Sequence, residues 1–253
     1  MNLSKWDQRI GRAGELAAAH PFAVEVLRFY QRVATFQKGM YWYLHESSAS
    51  DLDALLPQFP EFLSEIGAGA PEPIARSAHE WETRDADRAG ELLAFHWRSA
   101  SPGANPEALL AWLFLQPYAE HLAGHTKGVA VEAASALCPF CSRKPAVGVL
   151  RPQGDGARRS LICSMCATEW PFGRILCPAC GEESVEKLAI YTADQFVHVR
   201  VEACDTCGCY IKTVDLTKNG RAVPIVDELA TIPLDLWARE HRYVKVQANI
   251  LGV

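Results

Sequence analysis

Leu137-Cys138-Pro139-Phe140-Cys141 and Leu161-Ile162-Cys163-Ser164-Met165-Cys166 are echoed, in order, by Leu176-Cys177-Pro178-Ala179-Cys180-Gly181 and Ala203-Cys204-Asp205-Thr206-Cys207. Two residues between cysteines let a tight turn aim both sulfurs at one ion, and two such knuckles close a tetrahedral thiolate site. The gap between knuckles is 21 residues in the first set and 23 in the second, the spacing class of zinc ribbons. An aromatic trails each second knuckle, Trp170 in one set and Tyr210 in the other. Two tandem copies of one small module explain this repetition. The candidate metal ligands are therefore Cys138, Cys141, Cys163 and Cys166 for one ion, and Cys177, Cys180, Cys204 and Cys207 for a second. Cross-braced pairing, first knuckle with third and second with fourth, also satisfies the spacing; the internal repeat favours sequential pairing. Cys209 stands outside both sets, either as a packed thiol or as a reactive one.

Four thiolates suit zinc and iron alike, so two ions, iron or zinc, are expected in sites that staple the fold. A redox dithiol is disfavoured, because four pairs at ribbon spacing are not one pair at a helix start. The strands fit the module. Val147 to Leu150 and Arg159 to Ile162 read as one hairpin around Gly154-Asp155-Gly156. Leu188 to Tyr191 and Phe196 to Glu202 read as a second, with Val197, Val199 and Val201 alternating against His198, Arg200 and Glu202. Tyr210 to Asp215 continues as a strand. Such small sheets supply little core, so bound metal contributes folding free energy.

Upstream the pattern changes. No cysteine precedes Cys138, and residues 1–137 carry net charge −6 against +1 for residues 138–253. This shift places a boundary near residues 126–136. Ala, Leu and Glu dominate residues 4–125, which read as a bundle of five to seven helices. Pro21 opens a helix with Phe22, Val26, Phe29, Tyr30, Val33 and Phe36 on one face. Residues 46–60 read as loop. A short helix over 60–66 ends at Gly67 or Gly69, Pro71 and Pro73 start another, and Thr83 or Asp85 caps a further one. Asn105-Pro106-Glu107 supplies an N-cap, a proline at the first helical position and an acid facing the dipole. Pro117 is expected to kink or interrupt the helix that follows. Phe22, Phe29, Trp42, Trp97, Trp112 and Phe114 are read as core. His121 and His125 share a helix face, but the sequence suggests no third ligand, so they read as ordinary helix histidines. The fold class is α+β and multi-domain: a helical domain over 1–130, the first module over 131–173, and the second over 174–253 with a C-terminal helix.

The chain has 253 residues, 49% hydrophobic and 22% charged, which excludes a disordered tail protein. No apolar run approaches a membrane span, and the start lacks the basic and apolar regions of a signal peptide, so a cytoplasmic protein is expected. Eight thiolates around two divalent ions add −4 and bring the chain to about −9 from its formal −5, which weighs against nucleic acid. Arg143, Lys144, Arg151, Arg158 and Arg159 remain as a possible local basic patch. There is no Ser/His/Asp set, no phosphate loop and no open metal position, so no catalytic residue is assigned and a non-enzyme is expected.

These motifs resemble the formate dehydrogenase accessory proteins of the FdhE type. The resemblance rests on Cys138-Pro139-x-Cys141 and on Cys163-Ser164-x-Cys166-Ala167-Thr168-Glu169-Trp170. It continues through Cys177-Pro178-x-Cys180-Gly181, Cys204-Asp205-x-Cys207-x-x-Tyr210-Ile211-Lys212, Asp227-Glu228-Leu229-Ala230-Thr231, Leu234-Asp235-Leu236 and Asn249. Weaker matches are His20-Pro21 with Phe29, and Gln116-Pro117-Tyr118-Ala119-Glu120. The family pattern is departed from at Arg242-Tyr243 and Gln247-Ala248-Asn249. The resemblance implies a helical domain followed by two rubredoxin-like modules. It also implies a cytoplasmic assembly factor that contacts the catalytic subunit of a Tat-exported formate dehydrogenase, with iron or zinc as the associated metal. A homodimer is compatible with it. A rubredoxin-like electron carrier and a zinc-ribbon nucleic-acid binder are the two alternatives.

Overall fold

Among the described residues, Ala, Leu and Glu in the first half produce six helices: α1 (Leu3–Ala19), α2 (Val24–Ser47), α3 (Phe59–Gly67), α4 (Glu72–Glu82), α5 (Ala86–Arg98) and α6 (Pro106–His125). The computed structural model describes residues 3–47, 51–99, 105–126 and 135–249. The expected boundary near 126–136 therefore falls mostly outside the described residues. The caps do what the sequence requires. Asn105 Oδ1 accepts from the Ala108 amide at 2.7 Å, and Asp85 accepts from the Arg88 amide at 2.8 Å.

Pro117 does not interrupt α6, which runs unbroken from Pro106 to His125. A proline removes the N–H that would bond the carbonyl four residues back, here that of Leu113. Gln37 of α2 takes its place: its Nε2 donates to the Leu113 carbonyl at 2.7 Å, so the freed acceptor is satisfied. Three further expectations are corrected. Phe22 is not core; it lies in the 3₁₀ turn Pro21–Ala23, is 48% exposed, and meets His20 and Phe196 at the surface. Within the stretch read as loop, Leu52–Gln58 forms a 3₁₀ helix opened by Asp51, whose side chain accepts from the Asp53 amide. The expected strand from Phe196 begins only at Val199. Asp194–Phe196 is a 3₁₀ turn that buries Phe196 and leaves Val197 61% exposed.

The second half contains β1 (Pro145–Gln153), β2 (Gly156–Cys163), β3 (Glu169–Pro171), β4 (Leu188–Thr192), β5 (Val199–Cys204), β6 (Cys209–Asp215) and β7 (Val244–Lys245). All seven belong to one sheet, ordered β3-β2-β1-β6-β5-β4, with β7 also on β6. Each cysteine module supplies three strands, and they join head to tail. The first strand of the first module pairs in parallel with the third strand of the second, Gly148 facing Thr213. A Cβ on Gly148 would lie 2.3 Å from Thr213 Oγ1, so the close approach of β1 and β6 requires glycine there.

The single expected C-terminal helix is two, α7 (Pro224–Ala230) and α8 (Ile232–Glu240). Pro233 lacks the amide that would continue the ladder from Leu229, so the chain breaks at Thr231. Two cores result. One runs from the helices into the first module, through Leu113 and Phe114 to Leu161, Met165, Trp170 and three of the cysteines. The other lies between the sheet and the C-terminal helices, around Val149, Val201, Tyr210, Val214, Leu234 and Ala238. Among the described residues, no helix is long and apolar enough to cross a membrane.

Candidate metal centres

Each Cys-x-x-Cys turn ends in the same backbone device. The residue after the second cysteine is left-handed in all four: Ser142 (φ 57°), Ala167 (φ 51°), Gly181 (φ 78°) and Gly208 (φ 68°). In three of them the following carbonyl turns back on the knuckle: those of Arg143, Thr168 and Glu182 accept from the amides of Cys138, Cys163 and Cys177 at 2.8–2.9 Å. Ser142, Gly181 and Gly208 donate to the carbonyls of Cys138, Cys177 and Cys204 at 2.8–3.0 Å. Amides also point at sulfur, Met165 to Cys163 and Ala179 to Cys177, each at 3.4 Å.

These turns gather the sulfurs sequentially. Cys138, Cys141, Cys163 and Cys166 form one group, and Cys177, Cys180, Cys204 and Cys207 the other. In the first, Sγ separations are 3.5 Å for Cys138–Cys166, 3.4 Å for Cys141–Cys163 and 3.6 Å for Cys141–Cys166. In the second, Cys177–Cys207 is 3.8 Å and Cys180–Cys204 is 3.7 Å. A tetrahedral ion with metal–sulfur bonds of about 2.3 Å spaces its sulfurs about 3.8 Å apart, whereas a disulfide needs about 2.05 Å. The donor sets fit a tetrahedral thiophilic ion and not disulfides. Crowding also couples the thiols: hydrogen bonding to Cys138 draws Cys141 far below the usual thiol range, and the same neighbour pushes Cys163 well above it. Cys209 belongs to neither group; its sulfur rests near the Cys207 carbonyl.

Gln116 and Glu120, from one of the weaker motifs, lie beside the first group with Glu228 and Asn249. Gln116 Nε2 donates to the Ser164 carbonyl, within the Cys163–Cys166 knuckle, at 3.0 Å. Gln116, Glu120, Glu228 and Asn249 line one cavity with Arg9 and Tyr30, at the junction of helices and sheet. Arg9 is held there by Glu120 at 2.6 Å and by the face of Trp6. Burial is the largest influence on Tyr30 and raises its hydroxyl to about 12.

The segment Asp227-Glu228 binds the halves together. Asp227 accepts from Arg12 of α1 at 2.6 and 3.0 Å, from the Val223 amide at 2.7 Å, and meets His198 at 2.8 Å. Next to it is a buried quartet. Lys212 Nζ lies 3.0 Å from Glu228 and 2.6 Å from Asp235, while Lys245 bonds both acids from β7. Tyr210 donates to Asp235 at 2.8 Å. Burial pushes Lys212 below the usual lysine range. Burial alone would raise Glu228, but Lys212 and Lys245 outweigh it and hold its carboxyl at about 2. The motif residues thus tie α7 and α8 under β6. Sequence reading singled out Glu228, Asp235 and Lys212 without finding this role, and Lys245 carried no signal at all.

The local basic patch left open by the sequence does not form. Arg143 is buried between Trp97 and Trp112, Arg151 pairs with Glu169 at 2.6 Å, and Arg159 pairs with Glu202 at 2.5 Å. Arg143 and Arg159 are buried and Arg151 is paired with Glu169 at the surface, which leaves little field for phosphate. The reading of His121 and His125 as lacking a third partner is also corrected, because α2 brings His45 to them.

Comparison with known proteins agrees with this architecture. The family model for the FdhE central domain matches residues 137–174, and that for the FdhE C-terminal domain matches residues 175–251. The chain is 38% identical over 117 residues to a protein FdhE homolog of Aquifex aeolicus, covering 46% of this chain and 41% of that one. It is 32% identical over 212 residues to an FdhE homolog of Pseudomonas aeruginosa, covering 79% of this chain and 65% of the relative. The aligned stretches thus span less than two thirds of either relative's length. The crystal structure of the FdhE protein from Pseudomonas aeruginosa superposes with a TM-score of 0.73 at 22% identity, over 99% of this chain and 96% of that one. Two consecutive family models that meet between the cysteine modules, homologues with the same description and one shared fold agree: residues 137–251 match the FdhE central and C-terminal domains, and the whole chain shares the fold of an FdhE protein.

Proposed function

We propose that the protein is an assembly factor that binds the catalytic subunit of a formate dehydrogenase in the cytoplasm before Tat export, and supports its maturation. In this reading the eight cysteines hold two iron or zinc ions that stiffen a binding surface, and the chemistry belongs to the client. The helical unit (1–130) and the modules (131–173 and 174–253) act together in holding it. The observation that carries the proposal is the cavity at their junction. It takes Gln116, Glu120, Glu228 and Asn249 from three separate motifs of the resemblance and sets them beside the first cysteine group. A specific interface buries about 1,600 Å² in total, a patch large enough to include this junction. Deletion of the gene in the native host, with assay of respiratory formate oxidation and capture of partners by tagged protein, tests it. Loss of formate oxidation and recovery of the catalytic subunit are expected. Unchanged activity with no catalytic subunit captured overturns the assignment.

A second reading, an electron carrier, is favoured by one observation: Cys180 and Cys207 of the second group reach solvent. It requires iron in that site and reversible reduction. Metal analysis with absorption spectra of the oxidised and reduced protein decides it, and zinc in both sites eliminates it.

A further inference from the structure

Away from the cysteines, the C-terminal ends of α2 and α6 meet. His45 lies in the last turn of α2, and His121 and His125 are one turn apart at the end of α6. One ring nitrogen from each lies within 4.8 Å of the others. The His121 and His125 ring centroids are 4.3 Å apart, and His45 and His125 are 6.0 Å apart.

The details are those of a ligand set. His121 is only 6% exposed, and its buried Nδ1 has no hydrogen-bond partner among the described residues. Buried polar atoms are normally satisfied, so an orphan in a histidine cluster points to a missing partner. His125 Nδ1 donates to the His121 carbonyl at 2.8 Å, the outer hydrogen bond that fixes a ligand tautomer and leaves Nε2 bare. His45 and His125 are exposed, so their side chains are free to close on an ion. Imidazole bonds of about 2.0–2.1 Å bring ligand nitrogens to about 3.4 Å, a short adjustment from the observed spread. The C-terminal ends of the two helices lie side by side here, and their negative ends favour a cation nearby.

We infer that His45, His121 and His125 form a third metal site, for a divalent cation of the zinc class, with three imidazole ligands and a fourth position open to solvent or to a partner's side chain. It differs in kind from the cysteine groups, which are closed. Nitrogen donors select zinc, copper or nickel over calcium or magnesium.

The test is zinc stoichiometry by native mass spectrometry on untagged full-length protein, together with His45→Ala and His125→Ala. Both positions are exposed, so the variants are expected to melt like the parent without added zinc. The parent should bind one zinc more than either variant, and only the parent should gain melting temperature on zinc addition. Equal stoichiometry and equal zinc response in parent and variants overturn the site. The comparison is a difference of one ion, so it holds whatever metal the cysteines carry.

Discussion

The two cysteine modules share a spacing, a turn and a strand order, yet one is built into the core and the other faces outward. Cys138, Cys163 and Cys166 are buried in the core that continues from the helices, among Leu161, Met165, Trp170 and Phe172. Cys180 and Cys207 are exposed, and Ile175, Val185 and Ile190 lie exposed nearby. The difference follows from head-to-tail joining. In the first module the third strand, β3, is a three-residue edge; in the second its counterpart, β6, has seven residues and is flanked by β5, β1 and β7. The same local chemistry therefore gives a rivet in one place and a surface site in the other.

Removing each site separates these roles most strongly. Structural thiolate sites contribute on the order of 10 kcal/mol of apparent binding free energy. Cys163→Ser with Cys166→Ser should lose one ion, unfold the first module and lower the melting of the helices that share its core. Cys180→Ser with Cys207→Ser should lose one ion while helical melting stays near that of the parent. Metal analysis and far-ultraviolet circular dichroism read both outcomes. Equal collapse in the two variants would remove the distinction between core and surface sites.

The second module compensates for its exposed cluster with the buried quartet under β6. Lys212→Ala leaves Glu228 and Asp235 short of a cation, a change that costs about 3–5 kcal/mol for a broken buried pair. Denaturant unfolding should show this loss with both ions retained. The same quartet sets an acid limit. Glu228 titrates near 2 when folded against 4.5 as the reference. Its contribution is complete above pH 4.5 and is lost as pH falls toward 2. Glu228→Gln should be less stable at neutral pH and show a shallower fall over that window. A parallel fall in parent and variant would place the acid sensitivity elsewhere, for instance in the thiolates.

Much of this was legible in the sequence, and the reasons are local. Cysteine spacing, Asn105-Pro106-Glu107 and the β1–β2 hairpin act within a few residues of themselves, so their reading survives folding. What could not be read depends on distant partners. Pro117 is tolerated because Gln37 arrives from another helix, and the His121–His125 pair gains His45 in the same way. Phe196 is drawn into the second core by a 3₁₀ turn that alternation alone did not reveal. The sheet linking the modules depends on parallel pairing of strands about 60 residues apart, for which no sequence periodicity exists.

The seam itself is breakable. Gly148→Ala forces Thr213 away from β1, and overpacking of this kind costs about 1–3 kcal/mol. The parallel β1–β6 pair should open first, so amide exchange should rise at Gly148–Leu150 and Thr213–Asp215 while both ions stay bound. Unchanged exchange at those residues would mean the modules are held together by their helices and not by the shared sheet.

The smallest effect tests the turns. Ser142 and Ala167 hold left-handed backbone in the first module, where Gly181 and Gly208 hold it in the second. A side chain there costs roughly 1–2 kcal/mol by steric conflict of Cβ with the backbone. Glycine returns part of this through the entropy it loses on folding, roughly 0.5–1 kcal/mol. Ala167→Gly should therefore stabilise slightly, and Gly208→Ala should destabilise by about 1 kcal/mol. No atom lies within 4 Å of a Cβ built on Gly208, so that cost is backbone alone. An ion would hold each turn in this conformation, so the differences should shrink when a chelator removes it and the turns relax, as measured by paired melts with and without chelator. Opposite signs for the two substitutions are the expected result. Equal signs would show that the knuckles of the two modules differ in more than exposure.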